Sequence, residues 1–96
     1  MFETKENNFV SLHYVYMIEC TNGSYYTGYT TNIDRRYKEH KRGTSKCSYT
    51  RSFPPKKLIA VWSFDNKSAA LKKEFEIKKL SKIEKIKFAR HAGYPS

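Results

Sequence analysis

The first dense stretch of apolar positions runs from His13 to Cys20 (His-Tyr-Val-Tyr-Met-Ile-Glu-Cys). Its aromatic and β-branched content predicts a strand. Thr21-Asn22-Gly23 is a turn signal, and Ser24 to Tyr29 predicts a second strand antiparallel to the first. Beyond it the period changes from strand-like to helical. Ile33, Arg36, Tyr37 and His40 stand at i, i+3, i+4 and i+7, one stripe of a helix predicted over Asn32 to Arg42 and stopped by Gly43. Thr31 to Asp34 has the form of a capping box, with Asp34 standing in for the usual Glu.

Residues 43–57 read as a loop bearing Lys46, Arg51, Lys56 and Lys57 beside Tyr49 and Phe53, and ending in Pro54-Pro55. Leu58 to Phe64 is continuous in apolar character, which predicts a third, well-buried strand. A helix is predicted over Lys67 to Leu80. Ser81-Lys82-Ile83-Glu84 is a second capping box and opens a short last helix ending before Gly93. The expected class is α/β (α+β), a small three-stranded antiparallel sheet flanked by helices in the order β-β-α-β-α-α. Residues 1–12 read as a loosely ordered arm, 13–92 as a single domain and 93–96 as a tail.

Hairpin register decides which side chains share a face. A two-residue turn at Asn22-Gly23 would pair Glu19 with Tyr26 and send Tyr16 to the opposite face. A three-residue loop, with Gly23 as a left-handed bulge, pairs Cys20 with Ser24 and puts Tyr16 and Tyr26 together. The second register is the one expected here, because only it unites the two phenols.

Charge changes the picture more than composition does. Nineteen Lys and Arg against nine Asp and Glu give a net charge of +10 in 96 residues. Such a field suits a polyanion, either nucleic acid or an anionic membrane surface. No helix combines a clean apolar face with a lysine-rich one, so a membrane surface is not the expected partner. No apolar run reaches the roughly 20 residues needed to span a bilayer, and the N-terminal twelve residues do not resemble a secretory signal. The expected location is cytoplasmic. Cys20 and Cys47 lack zinc-ligand spacing and read as reduced bystanders.

Three polar residues, Arg36, His40 and Glu74, stand on apolar stripes; His40 alone reads as a satisfied structural histidine, and beside Arg36 the functional reading is equally open. Arg36 shares its stripe with Ile33 and Tyr37; either its stem packs on the sheet with its head in water, or its guanidinium grips two phosphate oxygens. Glu74 lies among Ala70, Leu71 and Ile77, with Lys78 at i+4 as an ordinary pairing partner. A carboxylate turned toward the sheet in so basic a chain invites a divalent cation such as Mg²⁺.

The stretches Tyr14-Val15-Tyr16-Met17-Ile18, Tyr26-Thr27-Gly28-Tyr29-Thr30-Thr31-Asn32, Arg36 with His40, and Ala70-Leu71-Lys72-Lys73-Glu74 resemble the GIY-YIG nuclease superfamily, and its small stand-alone bacterial members most closely. Tyr49-Thr50-Arg51 and Ile77-Lys78-Lys79-Leu80-Ser81 add support, and the resemblance covers about residues 13–88. It implies a single-metal endonuclease hydrolysing phosphodiester bonds, with one Mg²⁺ or Mn²⁺ ion held by Glu74. It further implies Arg36 on the scissile phosphate, Tyr16 and Tyr26 as the family tyrosines, and Gly28 as the second-motif glycine. His40 matches a histidine that some branches use. Tyr16 or His40 would take the proton of the attacking water.

Tyr14 replaces the first-motif glycine, Thr27 the second-motif isoleucine, and Tyr29 a lysine of several larger relatives. No asparagine follows Asn66, although some relatives contribute one late in the domain. No attached DNA-binding module is expected, which leaves target choice open. DNA, in a repair or recombination setting, is favoured over RNA as substrate, with Lys46, Tyr49, Arg51, Lys56 and Lys57 as nucleic-acid contacts and no obligate protein partner. The competing expectation is a nucleic-acid-binding module that keeps this fold and cleaves little.

Overall fold

The computed structural model describes residues 12–43, 50 and 52–90. Its elements are β1 (His13–Cys20), β2 (Tyr25–Thr30), α1 (Ile33–Arg42), β3 (Pro55–Phe64), α2 (Lys67–Lys78) and α3 (Lys82–Ala89). The three strands form one antiparallel sheet in the order β2-β1-β3, giving the expected α+β architecture. The N-terminal arm, the C-terminal tail and Cys47 lie outside the described residues.

The central strand is β1, and its alternation builds two cores. Val15 and Met17 face one layer, where Ala60 of β3 and Ala70 and Ile77 of α2 complete a buried cluster, with Phe88 of α3 packed against it. Tyr16, Ile18 and Cys20 face the other layer, with Tyr26, Leu58, Val61 and the α1 residues Ile33 and Tyr37. The sheet therefore separates α1 from α2. Burial pushes the pKa of the Cys20 thiol up, which suits an inert packing residue.

The β1–β2 turn takes the three-residue form. Gly23 N donates to Cys20 O at 2.9 Å, and Cys20 N donates to Ser24 O at 2.8 Å. Gly23 sits at φ 85°, a region that costs other residues about 1–2 kcal/mol. The ladder then pairs Tyr16 with Gly28 and Ile18 with Tyr26, so Tyr16 and Tyr26 share a face as the register argument requires.

Three expectations need correcting. The N-cap of α1 is Asn32, whose side chain accepts from Arg35 N, rather than Thr31. The third strand begins at Pro55, so Lys56 and Lys57 belong to β3 and not to a loop. That strand is also an edge strand. Only Ala60 in it is buried, because a strand with one neighbour buries less than β1 with two. The Ser81–Glu84 capping box forms in full.

Thr27 faces the α2 layer, and its buried hydroxyl has no hydrogen-bond partner among the described residues. Such a group costs about 1–3 kcal/mol. Replacing it by a methyl of similar shape, Thr27→Val, is expected to stabilise the fold by about 1 kcal/mol, read as a higher urea midpoint at unchanged m-value; a lower midpoint would contradict the assignment.

Candidate active site

The α1 layer of the sheet is where the polar candidates meet. The stripe of α1 that packs on the sheet carries Arg36 and His40 inward, while Arg35, Lys38 and Arg42 are exposed. His40 is 0% exposed, and its Nε2 lies 2.7 Å from the hydroxyl of Tyr16, itself 2% exposed. Arg36 Nε donates to the same hydroxyl at 3.3 Å. The other imidazole nitrogen, Nδ1, lies 2.7 Å from Thr50 Oγ1. Tyr26 packs edge-on against His40, at 5.1 Å between ring centroids, and tilts against Tyr16 at 6.4 Å.

Gly28 makes this packing possible. It pairs directly with Tyr16 across the hairpin, and the tyrosine ring lies over it. A Cβ at position 28 would sit 2.6 Å from Tyr16 Cζ and closer still to the hydroxyl oxygen. The second-motif glycine is thus the space the phenol occupies.

Arg36 is held from its own helix. Glu39 accepts from its Nη1 at 3.1 Å and lies 3.8 Å from Arg35 Nε. Arg35, Arg36 and Glu39 line an open hollow of about 450 Å³ with Tyr29, Thr30 and Thr31. Tyr29 belongs to the opposite face of β2, where its hydroxyl meets His13 Nδ1 at 2.8 Å. The hollow therefore wraps the free rim of β2.

Burial lowers the His40 pKa to about 4, with the Arg36 charge acting in the same direction and Glu39 opposing. The imidazole is neutral at physiological pH and binds two hydroxyls, so only one of its nitrogens carries a proton.

Glu74 stands apart from this group. Its helix packs on the other layer with Ala70 and Ile77, and its carboxylate, 17% exposed, pairs with Lys78 Nζ at 3.2 Å. Glu76 is exposed and pairs with Lys73. Among the described residues no three His, Cys, Asp or Glu side chains gather as a metal cluster. One half-buried carboxylate nevertheless fits Mg²⁺ or Mn²⁺, hard ions that take one or two protein oxygens and fill the remaining positions with water and phosphate oxygens. Lys56 and Lys57 are exposed where β3 begins, Lys56 within 4.0 Å of Glu19. Lys46, Tyr49 and Arg51 lie outside the described residues.

Two partners escaped the sequence reading. Glu39, at i+3 from Arg36, was detectable as a helical ion pair. Thr50 carried no local signal of its contact, since it lies ten residues beyond His40 with no periodic link.

The fold is that of a small α+β domain, and the family it matches is of nuclease type. A family model, the GIY-YIG catalytic domain, matches residues 12–87. A UPF0213 protein of Halalkalibacterium halodurans is 46% identical over 83 residues, covering 86% of this chain and 87% of its own. Another UPF0213 protein, from Halobacterium salinarum, is 49% identical over 74 residues, covering 77% of this chain and 95% of its own. The solution NMR structure of a UPF0213 protein from Bacillus halodurans superposes with a TM-score of 0.56 at 45% identity, covering 88% of each chain. The chain belongs to the GIY-YIG family. No helix among the described residues is long and apolar enough to cross a membrane.

Gly28→Ala is expected to push Tyr16 off His40 and to destabilise the fold by about 1–3 kcal/mol, with loss of the Tyr16–His40 contact in NMR spectra; an unmoved Tyr16 would refute the steric account. His40 makes a second prediction. Its folded pKa lies below the free value of about 6.5, so between these values the unfolded chain binds more protons and stability falls as pH drops from about 6.5 toward 4. The loss amounts to roughly 3 kcal/mol, and His40→Gln should remove most of that pH dependence. Equal slopes in urea titrations of the two proteins would show that His40 is not buried neutral.

Proposed function

We propose that this protein is a divalent-metal-dependent endonuclease that hydrolyses phosphodiester bonds in nucleic acid, DNA in preference to RNA. The observation that carries the reading is the convergence of Arg36 and His40 on one buried phenolic oxygen, Tyr16, beside a hollow open to solvent. A packing tyrosine needs neither a cation nor an imidazole on its hydroxyl. A phenol that handles protons benefits from both, because Arg36 favours its anionic form and His40 offers a second site for its proton.

In this reading Arg36, braced by Glu39, holds the phosphate whose negative charge grows in the transition state. Tyr16 orients the attacking water and exchanges its proton with His40. Tyr26 keeps the imidazole and the first phenol in place. Glu74 would hold the metal ion after releasing Lys78. When bound, that ion supplies charge neutralisation at the phosphate and at the departing oxygen. The net charge of +10 supports capture of a polyanion through backbone phosphates. The exposed Lys56 and Lys57, with Lys46, Tyr49 and Arg51, are the proposed contacts to the strand.

A second reading has its own observation. Glu74 is already neutralised by Lys78 and its helix lies across the sheet from the phenols, an arrangement that suits a nucleic-acid-binding module with little cleavage. Incubating the protein with supercoiled, single-stranded and branched DNA, with Mg²⁺ or Mn²⁺ and with chelator, separates the two. Metal-dependent nicking is expected, reduced about 10²–10³-fold in Arg36→Ala and in Glu74→Ala, while folding and gel-shift affinity in chelator persist. Binding should weaken steeply with salt. Salt-sensitive binding without cleavage supports the second reading, and undiminished nicking in both variants overturns the catalytic one.

A further inference from the structure

The Tyr49-Thr50-Arg51 stretch supports the family resemblance, yet the mechanism above gives its middle residue, Thr50, no task. Thr50 is 1% exposed, and its hydroxyl is one of two that grip the His40 ring, each at 2.7 Å. Among the described residues, the groups facing this imidazole are Tyr16 of β1, Tyr26 of β2, Thr50, and Arg36 and Glu39 from its own helix. A neutral imidazole has one N–H and one lone pair, so the line Tyr16–His40–Thr50 can run in only two directions.

The two directions differ in what the phenol can do. With the proton on Nε2, both His40 and Arg36 donate to the Tyr16 oxygen, and the phenol must aim its own proton elsewhere. With the proton on Nδ1, donor and acceptor alternate along the whole line: Arg36 Nε to Tyr16, Tyr16 to Nε2, Nδ1 to Thr50. Alternation lets each bond polarise the next and avoids crowding two donors on one oxygen.

We propose that Thr50 is a positioning residue that fixes the Nδ1–H tautomer of His40, so that Nε2 receives the phenolic proton of Tyr16 while Tyr16 takes a proton from the attacking water. The inference rests on the nuclease reading. The water O–H bond breaks as its oxygen bonds to phosphorus. That proton joins the Tyr16 oxygen, whose own proton moves to Nε2. The ester P–O bond breaks with its electron pair on the departing oxygen, which solvent protonates; the imidazolium then passes its proton back to the Tyr16 oxygen as that phenol releases its own to solvent. Arg36 is one of the groups that disfavour the imidazolium, so a phosphodiester seated against the guanidinium makes His40 a stronger base when substrate is present.

The test compares wild type with Thr50→Val, which keeps the shape and loses the hydroxyl, and with Thr50→Ser, which restores it. Long-range ¹H–¹⁵N spectra of the histidine rings, recorded without nucleic acid, should show Nδ1–H in wild type and Thr50→Ser, and loss of that single tautomer in Thr50→Val. With a DNA substrate and Mg²⁺, kcat should fall about 10²-fold in Thr50→Val and recover in Thr50→Ser, with KM little changed. An Nε2–H tautomer in a wild-type protein that cleaves defeats the Thr50 assignment alone, as does full kcat in Thr50→Val. A wild type that cleaves nothing with either metal defeats the nuclease reading and the relay with it. Should Thr50→Val not fold, the wild-type spectrum and Thr50→Ser still decide.

Discussion

The hairpin register is the constraint on which the site depends. Closure of Thr21-Asn22-Gly23 as a three-residue loop fixes Cys20 against Ser24 and thereby Tyr16 against Gly28. Because side chains alternate, a slip of one residue would send Tyr26 to the α2 layer and leave Tyr16 over a side chain instead of over a glycine. The two phenols share a layer because the left-handed conformation at Gly23, φ 85°, closes this loop, and α1 packs its inward stripe onto the same layer.

Around that register the molecule divides its labour between layers. The α1 layer brings Tyr16, Tyr26, Arg36 and His40 together, with Tyr16 and a neutral His40 buried and Arg36 braced by Glu39. The α2 layer is mostly apolar packing, with Glu74 and Lys78 as a pair at its margin. The β2 rim joins them, since Tyr29 projects from the α2 side yet lines the same hollow as Arg36. The hollow along that rim is therefore lined from both layers.

Much of this was legible in the residues. The order β-β-α-β-α-α, the Gly43 stop at φ 69° and the Ser81–Glu84 box followed from local chemistry that tertiary contacts did not override. The inward stripe of α1 followed from helical period alone. What was misread lies where local signals are degenerate. Thr31 and Asn32 both make good caps, and Asn32 prevails because Thr30 Oγ1 already accepts its backbone N–H at 3.1 Å. The apolar run of β3 looks the same whether one neighbour or two will flank it, so its position at the rim was invisible. Thr50 was unreadable as a partner of His40 because their contact spans ten residues with no periodic link.

That rim has a further consequence. β3 opens on Pro55, which lacks an N–H, follows with the exposed Lys56 and Lys57, and slips twice against β1. A second copy trying to extend the sheet there would meet a missing donor, two ammonium groups and an uneven ladder, the means by which exposed strands resist self-association. The free side of β3 is thus a poor template for pairing with another strand.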